Sequence, residues 1–158
     1  MRIRSLTPEE LAPICPTLLA FCRKHGDRRI THRALRWFQR LPHTRWEQGT
    51  LVAIASEEKR LVGVIAFGCY GLEESFIVVH PDFRNRRIGE LLLNHSLKTL
   101  KKVYTRVACD NVPSLKLCFS CGLVAFRLIR GPTGKPTLCL AGGDWNPEEV
   151  PWGTSATA

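Results

Sequence analysis

Arg84, Arg86 and Arg87 stand just before Gly89 and an apolar run, and just after the strand-like pair Val78-Val79. Pro81 stops a strand ladder, so the chain passes from strand to helix start within a few residues. The first N–H groups of a helix have no acceptor inside it, and with the helix dipole they attract anions. The three arginines add charge-assisted donors suited to phosphate, and Gly89 lets a ligand approach the backbone. The segment reads as a phosphate-binding turn, with a solvated basic turn as the other reading.

The cysteines offer less. Cys118 and Cys121 have a Cys-x-x-Cys spacing, but no second pair follows at the spacing zinc needs, so no metal is assigned. Seven cysteines form an odd set, and the N-terminal residues lack the apolar core of a secretory signal. Reduced thiols and a cytoplasmic location are therefore expected, several thiols acting as small core residues. There is no apolar run of membrane-spanning length, which argues against a membrane partner.

The elements that must position the turn follow from the patterning. At 158 residues and 44% apolar content the chain fits one domain with a sizeable core. Residues 1–5 alternate as a strand, and Thr7-Pro8-Glu9-Glu10 is a helix start for a helix running to about Arg23. Thr31 caps a second helix that shares Ala34, Leu35, Phe38 and Leu41 on one face and ends at Pro42. Leu51–Ala55, Leu61–Tyr70 and Ser75–Val79 form an antiparallel meander. Ile88–Val103 is helical, with Leu91, Leu92, Leu97 and Leu100 expected on the buried side. A strand over Val103–Cys109, a helix over Asn111–Ser120 and strands over Leu123–Ile129 and Thr137–Leu140 complete the order. Gly131-Pro132-Thr133-Gly134 is turn chemistry. The order defines an α+β or mixed α/β fold with one central sheet and about four helices. The domain is expected over residues 1–141, with a loosely ordered tail over 142–158.

With these residues in place the chain resembles the GNAT superfamily of N-acetyltransferases. That family's cofactor motif is matched by Val79, Pro81, Arg84, Arg87, Ile88, Gly89, Leu91 and Leu92. Arg87 stands where the family has its first glycine, which demands a backbone conformation a side chain tolerates. A second signature, Asn-x-x-Ala-x-x-Leu-Tyr-x-x-x-Gly-Phe, corresponds without a gap to Asn111, Ser114, Leu117, Cys118, Gly122 and Leu123. The resemblance spans about residues 51–140. It implies a mostly antiparallel sheet splayed between its fourth and fifth strands, with acetyl-CoA as co-substrate in the cleft and no metal.

The resemblance also implies roles. Backbone groups of Ile77 and Val79 would pair with the pantetheine arm, and an N–H near Val78 or Val79 would polarise the thioester carbonyl. The amides of Arg84, Asn85, Arg86, Arg87, Ile88, Gly89 and Glu90 would hold the pyrophosphate, and Asn111 and Ser114 join the cofactor set. Glu74 or Glu73, at the start of the fourth strand, is the candidate general base, with His80 as a rival. Cys118 replaces the family's tyrosine general acid. It could donate a proton, accept the acyl group as a nucleophile, or stand by while water serves.

The formal charge of +9 raises the local concentration of anions without saying which anion. Residues 23–45 concentrate it: Arg23, Lys24, Arg28, Arg29, Arg33, Arg36, Arg40 and Arg45 face the single acid Asp27. This segment could recognise an acidic small molecule, a ribosomal protein on rRNA or aminoacyl-tRNA, or could be a solvated helix face. Two functions are open. One is an N-acetyltransferase acting on a small-molecule or protein amine, as a monomer or homodimer. The other is a coenzyme-A-binding module of low activity that associates with RNA or acidic partners.

Overall fold

The computed structural model describes residues 1–131 and 134–153. Thr7 opens α1 (Pro8–His25) with a complete capping box: its side chain accepts from Glu10 N–H, and the Glu10 carboxylate accepts from Thr7 N–H. Pro13 and Pro16 lie inside this helix, where each removes a backbone donor, yet both are on the exposed face. Burial of Leu11, Cys15, Leu18, Leu19 and Cys22 on the opposite face offsets that loss. Thr31 caps α2 (His32–Arg40), which buries Ala34, Trp37 and Phe38 against α1 and the first sheet.

That sheet orders β1 (Arg2–Ser5), β2 (Leu51–Glu57), β3 (Arg60–Gly68) and β4 (Glu74–Val79), every pairing antiparallel. Glu58 and Lys59 both take positive φ, which gives the β2–β3 hairpin a two-residue turn whose twist matches its strands. A second sheet orders β5 (Lys102–Ala108), β7 (Pro136–Gly143) and β6 (Val124–Arg130), also antiparallel throughout. Helices α3 (Ile88–Leu100) and α4 (Val112–Ser120) connect β4 to β5 and β5 to β6. The expected splay is thus a complete separation, because no ladder joins edge strand β4 to edge strand β5.

One core lies between the sheets and α3 and α4, and a second between the first sheet and α1 and α2. A third cluster backs the second sheet. On α3 the buried residues are Ile88, Leu92, Leu93 and Ser96, while Leu91 is 45% exposed, so Leu93 replaces it on the packed face. A run of three leucines does not reveal which two face inward; the packing of α3 on β2 and β3 decides it.

The stretch from Gly142 departs from the expected loose tail. β7 continues through Gly143, Val150 and Trp152 are each 8% exposed, and Arg127 donates a 2.8 Å hydrogen bond to the Trp152 carbonyl. Two indoles and a valine in this stretch give it apolar area to bury, which outweighs its prolines. The expected turn residues Pro132 and Thr133 and tail residues 154–158 lie outside the described residues.

Candidate functional site

Where β4 and β5 part, the only side-chain hydrogen bond across the gap among the described residues joins Ser75 Oγ to Thr105 Oγ1, at 2.8 Å. Beyond it opens a cavity of about 200 Å³ that Ile77, Val107, Asn111, Ser114 and Cys118 help to line. His80 N–H donates to the Val62 carbonyl, so by antiparallel alternation Val78 also bonds toward β3 while Ile77 and Val79 aim their backbone groups at the gap. The expectation therefore divides. The backbone of Ile77 and the Val79 N–H face the gap, with the Val79 carbonyl taken by Arg84, whereas the Val78 amide is committed to the ladder and its side chain to the α1–α2 core.

At the end of β4 the chain enters α3 through a turn that leaves its donors open. None of the N–H groups of Asn85 through Glu90 meets an acceptor among the described residues. Arg87 takes the left-handed conformation, φ 62°, that its replacement of a glycine requires, and it supplies no side-chain cap. Asn85 is also left-handed, at φ 66°. Such a turn gathers successive amides into an anion-binding hollow.

The arginines contribute unequally. Arg84 is occupied: it donates to the Val79 and His25 carbonyls and pairs with Asp27 at 3.0 Å. Arg86 pairs with Glu57 at 3.2 Å and lies over the Phe83 ring. Arg87 alone of the three has no ion pair among the described residues. Gly89 also has a different role from the one expected, because an added Cβ would come within 3.2 Å of Leu117 and so press on the α3–α4 contact.

Replacing Arg87 with glycine should therefore stabilise the fold by about 0.5–1 kcal/mol, the relief of left-handed strain less the added freedom of the unfolded chain. Affinity for acetyl-CoA should fall less than about tenfold, since one exposed charge contributes about 1 kcal/mol or less. Chemical denaturation and calorimetric titration check the two parts.

On the opposite, α1–α2 face of β4, Glu74 is 9% exposed and its carboxylate pairs with Arg33 at 3.6 Å. Burial pushes its pKa up, opposed by the charges of Arg106 and Arg33. Glu73 is exposed. His80 Nδ1 accepts from Asp82 N–H, which uses the one lone pair of the neutral imidazole and leaves none for an acceptor amine. Cys118 lines the cavity, but burial pushes its thiol up to about 12. Asn111 caps α4 through Ser114 N–H, so its first duty is structural.

Two residues that sequence reasoning passed over line the same cavity. Thr105 faces Ser75 across the gap, and Arg106, next along β5, projects to Glu74's side and lies 4.7 Å from the Trp152 ring. The only signal for Arg106 was a charge at an alternating position in an otherwise apolar strand. Among the described residues no group of three or more His, Cys, Asp or Glu could hold a metal, and no helix is long and apolar enough to cross a membrane.

The strand that edges the gap thus begins at a buried carboxylate and ends at a turn of open amides. The Acetyltransferase (GNAT) family model matches residues 15–123, and the chain belongs to that family. No curated protein sequence matches significantly. Among solved structures, the ribosomal-protein-alanine N-acetyltransferase of Brucella melitensis is similar at 18% identity and a TM-score of 0.66, over 90% of this chain and 99% of its own. A spermidine N-acetyltransferase chimera of Vibrio cholerae and hSSAT shares 14% identity at a TM-score of 0.67, over 90% and 94%. A structure from Salmonella typhimurium with its cofactor acetyl-CoA shares 16% at 0.59, over 90% and 92%. At these identities the likeness is one of fold. Acetyl-CoA is the co-substrate of the family, and the open amides and gap-facing backbone of β4 fit it.

Proposed function

We propose that the chain transfers an acetyl group from acetyl-CoA to a primary amine of a small molecule, protein or peptide by direct attack. The observation that carries this reading is the run of open amides at the end of β4 together with the buried carboxylate at its start, on the strand that edges the gap. The amides of residues 85–90 would bind the pyrophosphate, and the backbone of Ile77 and Val79 would align the pantetheine arm. Acetyl-CoA supplies an activated acyl carbon: the amine nitrogen bonds to it, the carbon–sulfur bond breaks, and its electron pair leaves with sulfur. Glu74 accepts the ammonium proton, and its raised pKa makes it a better base than an exposed carboxylate. The Val79 N–H is the gap-facing donor suited to the carbonyl oxygen as charge develops there.

Cys118 is assigned no chemical step. At a pKa of about 12 its thiolate is about 10⁻⁵ of the total at neutral pH, too little for an efficient nucleophile. The same value makes proton donation to a thiolate of ordinary basicity uphill by roughly three units. Water protonates the departing sulfur. The seven free cysteines suit a reducing cytoplasm.

The cofactor half of the proposal is tested by melting the protein with and without acetyl-CoA. At one hundred times its Kd the ligand should stabilise by about 2.7 kcal/mol, a rise of roughly 5–10 °C. An unchanged Tm at high acetyl-CoA would count against the cleft. The binding-module reading is favoured by the exposed Arg33, Arg36 and Arg40 on α2. It would be supported by salt-sensitive RNA binding without thiol release from acetyl-CoA.

A further inference from the structure

The α3 side of the slit carries the anion-binding turn, so the second substrate must approach from the α1–α2 side. The charge lining the cavity between the sheets is one-sided. Arg28, Arg29, Arg106 and Lys135 all line the cavity, and no acid does. Arg29 and Lys135 are offset by a shared partner, Asp110, at 2.9 and 3.0 Å. Arg28 and Arg106 have no ion pair or hydrogen-bond acceptor among the described residues.

Arg106 is the more telling of these two. It is half-buried beside the Trp152 ring, and burial works against its charge. Glu74 sustains that charge from outside ion-pair distance, its own partner being Arg33. A guanidinium has five donors in a planar fork that matches a carboxylate or phosphate. An unpaired one, partly desolvated and facing a cavity beside a candidate base, is costly unless an anion completes it.

Resting on the transferase reading above, we infer that the acceptor amine carries a carboxylate or phosphate close to its amino group, and that Arg106, assisted by Arg28, binds that anion. The amino group then faces Glu74 while the anion sits on the guanidinium. A polyamine places a second positive charge where this site already has several, and is rejected by like-charge repulsion.

Matched acceptors isolate the anion. Thiol release from acetyl-CoA is measured with amino acids and their decarboxylated amines, arginine against agmatine and tyrosine against tyramine, with phosphoethanolamine against ethanolamine as the phosphate arm and spermidine as the cationic control. The anion-bearing member of at least one pair should be favoured in kcat/KM by about tenfold to a hundredfold, the size of one charge-assisted hydrogen bond. Arg106→Gln should collapse that ratio toward one by raising the KM of the anionic acceptor, leaving the KM for acetyl-CoA within about twofold. If that variant fails to fold, Arg28→Asn, in an exposed position with left-handed φ that asparagine tolerates, should reduce the same ratio. Equal turnover of both members of every pair, a preference for spermidine, or variants that change only the acetyl-CoA KM would overturn the inference and leave the transferase standing. Absence of thiol release with every amine would instead remove the transferase reading, and this inference with it.

Discussion

Replacing Glu74 with glutamine should lower kcat for amine acetylation by about a hundredfold to a thousandfold at neutral pH, the usual contribution of a positioned base. The amide keeps the shape and cannot take a proton. Because the pKa of Glu74 is raised, the acid limb of the wild-type kcat/KM profile should lie above the usual carboxylate range, with activity lost as pH falls through it. In the variant that limb should disappear, and the gap to wild type should narrow at high pH, where the acceptor amine is already deprotonated. Stability should respond in the opposite sense. A carboxyl whose folded pKa exceeds its unfolded value binds more protons when folded, so its ionisation costs stability as pH rises through that window. The variant should therefore melt no lower than wild type at neutral pH, although the exposed Arg33 loses its ion-pair partner and Arg106 a more distant counter-charge. Thiol-release kinetics across pH and a melting curve check both halves, and equal losses of activity and stability would argue for a structural acid instead.

Gly71→Ala should cost about 3 kcal/mol or more and lower the Tm by roughly 10 °C or more, or prevent folding. Cys69, Tyr70 and Gly71 all have positive φ in the connection from β3 to β4, and Gly71 reaches 100°, where only glycine is comfortable. An added Cβ would overlap the Tyr104 carbonyl oxygen of β5, a backbone atom that cannot rotate away. The connection is thus pressed against the second sheet just before Glu74, and the Trp152 indole N–H donates to the Leu72 carbonyl beside it. Damage here separates the edges whose spacing makes the slit. The alanine variant should lose acetyl-CoA-dependent stabilisation together with its Tm, readable in one thermal scan with and without cofactor.

The turn of open amides was legible in the sequence because it depends on backbone: a strand end, a proline and a helix start expose N–H groups whatever the side chains do. The arginines beside it were not, since the partners that occupy Arg84 and Arg86 come from residues 25, 27 and 57, brought there only by the fold. The element order was readable from periodicity, whereas the phase of α3 was not, as Leu91 and Leu93 show. Glu74 could be told from Glu73 only once β4 was seen to turn one inward and one out. The docked C-terminal stretch was missed because prolines and small residues outweighed Val150 and Trp152 in composition, although those two buried residues help back the second sheet. Arg106 was passed over for a related reason: what marks it is the lack of an ion-pair partner among the described residues, which a sequence does not record.

Two-substrate steady-state kinetics distinguishes direct transfer across the slit from transfer through the protein. With an accepted amine varied at several fixed concentrations of acetyl-CoA, direct transfer predicts intersecting double-reciprocal lines. It also predicts no acetyl adduct on the protein when acetyl-CoA is supplied alone, since the Cys118 thiol stays protonated. Parallel lines together with an acetylated Cys118 would contradict it, by showing that the acyl group passes through the protein before it reaches the amine.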